Sequence, residues 1–182
     1  MQPTWIRDPG FTEHSYRGLG VDGGRTEFVL FNNYQYDEQY WAFHSSDARW
    51  KNNGIINYPR RGAYQNIALK NRDCHVLAVG DVMEPNEEWR KWKLEQSGGR
   101  QWDYVFRQLY YVHNPNIWKQ QFREPQEIDN VDSTAGFLQN HDLWVDNDGA
   151  AHILYLKQNI ATTEMRDKFS LMFRSPFLWN IA

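Results

Sequence analysis

The sequence predicts an all-β protein, and three observations carry that expectation. Six short runs are rich in β-branched and aromatic residues and are bounded by Gly, Pro, Asn or Asp. Three of these runs follow a turn: Asp22-Gly23-Gly24, Asn71-Arg72-Asp73 and Asn147-Asp148-Gly149. Helical periodicity is weak throughout. In chain order the expected strands are residues 26–31 (TEFVLF), 40–43 (YWAF), 74–79 (CHVLAV), 104–112 (YVFRQLYYV), 152–156 (HILYL) and 169–173 (FSLMF). One helix is expected, over residues 86–96 (NEEWRKWKLEQ). Pro85 and acids sit at its start, Gly98-Gly99 follow its end, and it reads as a short insertion.

Composition excludes several classes. The 182 residues, with net charge −3, suit one domain over 1–182, large enough to bury a core. No Lys/Arg block stands clear of neighbouring carboxylates, so phosphate-driven nucleic-acid binding is not expected. No run approaches the roughly 20 apolar residues of a bilayer span. The start of the chain lacks the basic and apolar regions of a secretory signal. Cys74 is the sole cysteine, so no internal disulfide forms. Aromatics make up 16% with nine Trp, which suits both strands and the stacking of flat ligands such as sugar rings.

The turns form a pattern. His75 and His152 follow their turns at the same offset, and Glu27 takes that place after the first turn. The three positions are 48 and 77 residues apart, the longer interval holding the helix. A further strand follows each hairpin, giving repeats of about 12–58, 59–125 and 126–182. Radial repetition of four-stranded units is what a β-propeller predicts, here about three blades of a larger ring. A β-sandwich with a similar number of strands is the competing all-β reading.

The D-G-x-x-H-hydrophobic hairpin, followed by a strand and a polar turn, resembles the bacterial neuraminidase repeat of sialidase-like propellers. Residues 45–50 (SSDARW) are similar to its Asp-box turn, with Arg49 at the place of the glycine and Trp50 early. His113-Asn114-Pro115-Asn116 and Arg174-Ser175-Pro176 take the analogous places. The resemblance implies a glycoside hydrolase or polysaccharide lyase, secreted or periplasmic, with its site at the mouth of the central channel. Three repeats do not close a ring of 4–8 blades, and residues 177–182 end on apolar side chains. The expectation is a segment completed by further blades or by another copy.

Counting back from the hairpins puts His14, Tyr16 and Arg17, then Tyr64 and Gln65, then His141 and Asp142 at one rim. His141 is either a channel-facing acid/base group or a hydrogen-bonded surface residue. Tyr64 is either its partner or an ordinary strand tyrosine. Arg17 suits a substrate carboxylate, or an ion pair with Glu13 or Asp22. His14, Tyr16, Gln65 and Asp142 complete the expected substrate-binding set. His75 and His152 either share a structural task or supply one member of an acid/base pair, as the resemblance to propeller lyases implies. No H-x-x-x-H or C-x-x-C spacing points to a metal, and no cofactor is expected. The pairs Asp37-Glu38 and Glu87-Glu88 read as solvated charge rather than hydrolase carboxylates. Two functions remain: an enzyme acting on an extracellular poly- or oligosaccharide, or a non-catalytic glycan-binding module using Trp41, Trp50, Tyr110 and Tyr111 as platforms.

Overall fold

Successive strands reverse on themselves because each run ends in a turn that can fold it back. The computed structural model describes residues 17–34, 37–44, 46, 48–99, 103–160 and 162–171. The first sheet holds Arg17–Asp22 (β1), Glu27–Tyr34 (β2), Asp37–His44 (β3) and Arg49–Asn57 (β4) in the order β1-β2-β3-β4. The second holds Gly62–Lys70 (β5) and Asp73–Met83 (β6), the helix Glu87–Gln96 (α1), then Tyr104–Asn114 (β7) and Gln126–Asn130 (β8), in the order β5-β6-β7-β8. The third pairs Phe137–Val145 (β9) with Ala151–Gln158 (β10), and the helix Thr163–Phe169 (α2) follows. Among the described residues every strand pairing is antiparallel. The protein is all-β.

Local chemistry explains the turns and caps. Asn71 and Arg72 both adopt positive φ, 54° and 71°, between the paired residues Lys70 and Asp73. That is the two-residue hairpin whose backbone matches strand twist. The Asn86 side chain caps α1 by accepting from the amides of Glu88 and Trp89, and Gly98 and Gly99 at positive φ follow its end.

The strand expected at 169–173 is corrected. Phe169 ends α2, whose cap Thr162 accepts from the Met165 amide and whose Met165 is buried. Glu164 in the first turn and Arg166 and Lys168 in the last complement the helix dipole, so local signals override the β-prone residues that follow. Residues 172 and 173 lie outside the described residues. Among the described residues the third sheet therefore has two strands, where four were expected.

The sheets stack face to face. Val29 and Phe31 of β2 and Tyr40 and Ala42 of β3 pack against Leu69, Cys74, Val76, Tyr110 and Val112 of the second sheet. The opposite face of the second sheet, with Leu77, Val79 and Leu109, packs against Leu138 and Leu143 of β9. The first strands are neighbours, β1 running along β5 and β5 along β9. Glycine sets one of these approaches: a Cβ at Gly20 would lie 2.5 Å from Ile67 Cγ2, and one at Gly18 would strike Ile67 Cδ1. The two outer faces differ from the inner ones. Leu19, Val21 and Ile55 of the first sheet and Trp144, Leu154 and Leu156 of the third are exposed.

Several expectations are revised by this packing. Tyr110 is in the core and Tyr111 half-buried, because both faces of β7 are covered. Trp50 packs on Phe28 and Phe43, at centroid distances of 6.1 and 4.9 Å. These rings are packing groups rather than open platforms. Glu38 is fully buried in β3, whereas Glu87 and Glu88 are exposed in the first turn of α1.

Candidate functional site

The first strands bring the expected rim residues together through two β-bulges. On β5, Ala63 pairs with Val79 and Asn66 with Leu77, so Tyr64 and Gln65 stand opposite Ala78 alone. On β9, Asp142 pairs with Leu154 and Asn140 with Tyr155, leaving His141 as the extra residue. A bulge bends its strand and re-aims side chains, and both bulges fall on first strands. Tyr64 takes φ 54°, a conformation that costs a bulky residue about 1–3 kcal/mol unless its surroundings impose it.

Those surroundings are amides. Asn140 Nδ2 donates to the Tyr64 carbonyl and to Asn66 Oδ1, both at 2.5 Å, while Asn66 Nδ2 donates to the His141 carbonyl at 3.2 Å. The two bulges are thus cross-braced. Both side chains face solvent, Tyr64 being 47% exposed. Asp142, also exposed, accepts its hydrogen bond from the Leu143 amide. On the other side, a Cβ at Gly18 would lie 3.4 Å from that of Gln65, which sets exposed Arg17 at the same level. Arg17 begins β1 and Asp22 ends it, which puts the alternative Arg17–Asp22 pairing at opposite ends of the strand. Asp22 instead accepts from the amides of Arg25 and Asn71. His14, Tyr16 and Glu13 lie outside the described residues.

Behind the two bulges sits a buried polar cluster. Gln65 turns inward, donating to Asn33 Oδ1 at 2.7 Å, and Asn33 donates to the Gly62 carbonyl. Gln65 is therefore a brace between sheets rather than a channel-facing group. Burial pushes the Glu38 carboxyl up to about 8; Tyr58 and Gln65 beside it pull the other way. Neither of them closes a well-formed hydrogen bond onto its oxygens. Glu38 is a protonated acid at neutral pH, as desolvation demands.

Tyr64 also touches one wall of a cleft without lining it. Its ring meets Phe106 edge-on at 5.5 Å, and Phe106 meets Phe137 at 5.8 Å. Phe106, Phe137, Trp92, Tyr104, Lys93 and Arg107 line a cleft of about 310 Å³ between α1, β7, β9 and α2. Arg107 is buried and grips Glu84 through two bonds of 2.9 and 2.6 Å; Lys93 joins them at 3.1 Å. Burial raises the Glu84 carboxyl, but Arg107 and Lys93 outweigh it and hold it below the usual range.

The two histidines that follow the hairpin turns occupy the far end of the sheets. His75 pairs with Ala68, four residues along β5 from Tyr64, or about 13 Å of strand. It cannot share one scissile bond with the rim. His75 is buried, its Nδ1 lying 2.5 Å from the Tyr111 hydroxyl, and its ring stacks on His113. Burial lowers its pKa, while Asp73 acts in the opposite sense. His152 is exposed, 2.9 Å from Asp146 and packed on Trp144. His152 alternates with Ile153, which packs inward, so like His75 it points away from the preceding sheet. The turns differ in size, however. Glu27 closes its turn opposite Asp22, His75 lies opposite Ala68 and His152 opposite Trp144, so the common sequence offset is not a common register.

Sequence reasoning did not find Glu38, the cleft, or the grouping of His75 with Asp73 and His113. The D-x-H spacing of Asp73 and His75 was a readable signal, since alternate strand residues share a face. No protein-family model and no curated protein matches the chain.

Proposed function

We propose that the chain supplies consecutive blades of a β-propeller that acts on an acidic oligo- or polysaccharide, most simply as a polysaccharide lyase. The observation that carries the reading is the pair of cross-braced bulges presenting Tyr64 and His141 on adjacent first strands. A lyase needs a base for the proton beside the uronate carboxyl and an acid for the leaving oxygen. Imidazole and phenol suit those two tasks. Arg17 at the same level suits the carboxylate. Hydrolysis would call for two carboxylates flanking the bond, and Glu38 is buried too deeply to be one of them.

Support for the propeller comes from the stacking of meanders with first strand beside first strand. The apolar outer faces of the first and third sheets are equivalent to faces that neighbouring sheets cover elsewhere in the molecule. Further blades of the same ring are the occupants that fit them. A non-catalytic glycan-binding module is the second reading, favoured by the aromatic cleft at Trp92, Tyr104, Phe106 and Phe137.

The test is a polysaccharide panel on the full-length protein, read by the ultraviolet absorbance of unsaturated products and by reducing ends. His141→Ala and Tyr64→Phe should each lower turnover about 100- to 10,000-fold with the melting temperature nearly unchanged. Wild-type turnover by stable His141→Ala protein removes this residue from the chemistry. Binding without turnover by the wild type selects the module.

A further inference from the structure

We infer that Asp73, His75 and His113 form a binding site for a divalent first-row metal ion, of which zinc is the best fit. The site is independent of the rim and of the reading given to it. Its geometry follows from strand pairing. Asp73 opens β6 directly after the tight turn at Asn71-Arg72, and His75 lies two residues on, so the two share a face. His113 on β7 pairs directly with His75. Three donors from two adjacent strands therefore converge.

The distances agree with ligation. The ligand atoms of the three side chains lie within 4.8 Å of one another. His113 Nε2 is 2.5 Å from Asp73 Oδ1, and His75 Nε2 is 3.3 Å from the same oxygen. Donors held 2.0–2.1 Å from a tetrahedral zinc are about 3.4 Å apart, so small side-chain shifts admit an ion.

A second observation points the same way. The His75 side chain is 5% exposed, and its Nε2 is buried without a hydrogen-bond partner. The other ring nitrogen is held by the Tyr111 hydroxyl at 2.5 Å. If Nδ1–H donates to Tyr111, Nε2 keeps a lone pair aimed at a carboxylate oxygen, and two acceptors face each other. A shared cation relieves that conflict. Tyr111 then plays the part of the outer partner that orients a metal-bound histidine.

The donor set narrows the ion. Two imidazoles and one carboxylate suit zinc and its first-row neighbours rather than calcium or magnesium, which prefer oxygen alone. The partial exposure of Asp73 and His113 leaves room for water in a fourth position.

The experiment uses tag-free protein stripped with a chelator and titrated first with Co²⁺, then with Zn²⁺. One equivalent of Co²⁺ should give a visible ligand-field absorption that Zn²⁺ displaces, and Zn²⁺ should raise the melting temperature. Affinity should fall at least tenfold in His75→Ala and His113→Ala. Tyr111→Phe should weaken it about 10- to 100-fold. Because buried His75 also packs, Asp73→Asn provides a nearly isosteric variant, with circular dichroism to verify its fold; it too should lose metal. The inference is overturned if folded wild-type protein gives neither the absorption nor the thermal shift at millimolar metal. It is equally overturned if Asp73→Asn and His113→Ala bind as the wild type does.

Discussion

Glu38 is a carboxyl that folding forces to keep its proton. Its pKa is raised from 4.5 to about 8, chiefly by burial. The unfolded chain releases that proton above its ordinary value, whereas the folded chain holds it until the raised one. The contribution is thus favourable below about 4.5, erodes as pH rises toward about 8, and is constant beyond. Glu38→Gln keeps the shape and removes the titration. Urea denaturation between about pH 5 and 9 should show the variant gaining on the wild type, up to a few kcal/mol, and then levelling off. Parallel pH profiles for the two proteins would mean that Glu38 is not held neutral. None of this was legible in the sequence, because Asp37-Glu38 beside a turn reads as solvated charge. Only the second sheet, arriving from residues 62–130, makes the position dry.

Strand elements were far easier to read than the bulges between them. Alternating branched and aromatic residues between turn formers marked β2, β6, β7 and β10, and Pro85 with Gly98-Gly99 marked α1. The Tyr64 and His141 bulges carry no such mark, since an extra residue in a strand is defined by its partner's register. The expected strand at 169–173 failed for a related reason: the capped turn at Thr162 commits the chain to a helix that reaches Phe169. The close approach of β1 and β5 gives a test at this scale. Gly18→Ala places a methyl on Ile67 Cδ1 and should cost about 1–3 kcal/mol in chemical denaturation. In an Ile67→Val background that atom is gone, so the glycine substitution should cost less by about 0.5 kcal/mol or more. An unchanged cost would show that the strands are not in contact through this pair.

At the scale of the molecule, the stack has two apolar ends. Trp144, Leu154 and Leu156 at one end and Leu19, Val21 and Ile55 at the other are large side chains left open to water. The 182-residue chain on its own should self-associate as its concentration rises in sedimentation velocity runs. Trp144→Glu with Leu154→Lys should limit it to at most a dimer through the other end while costing little stability, because both side chains are already solvated. A monodisperse wild type over the same range would argue against docking at that end. The meander itself has a consequence for synthesis. Each sheet is drawn from one contiguous stretch, so the first can pair its strands as soon as residue 57 clears the ribosome. Its inner face, with Val29, Phe31 and Tyr40, stays partly open at least until Val112 is made, 55 residues later. At ordinary elongation rates that interval is roughly 3–11 s. For those seconds the nascent chain displays a half-built interior, on which chaperone capture competes with aggregation.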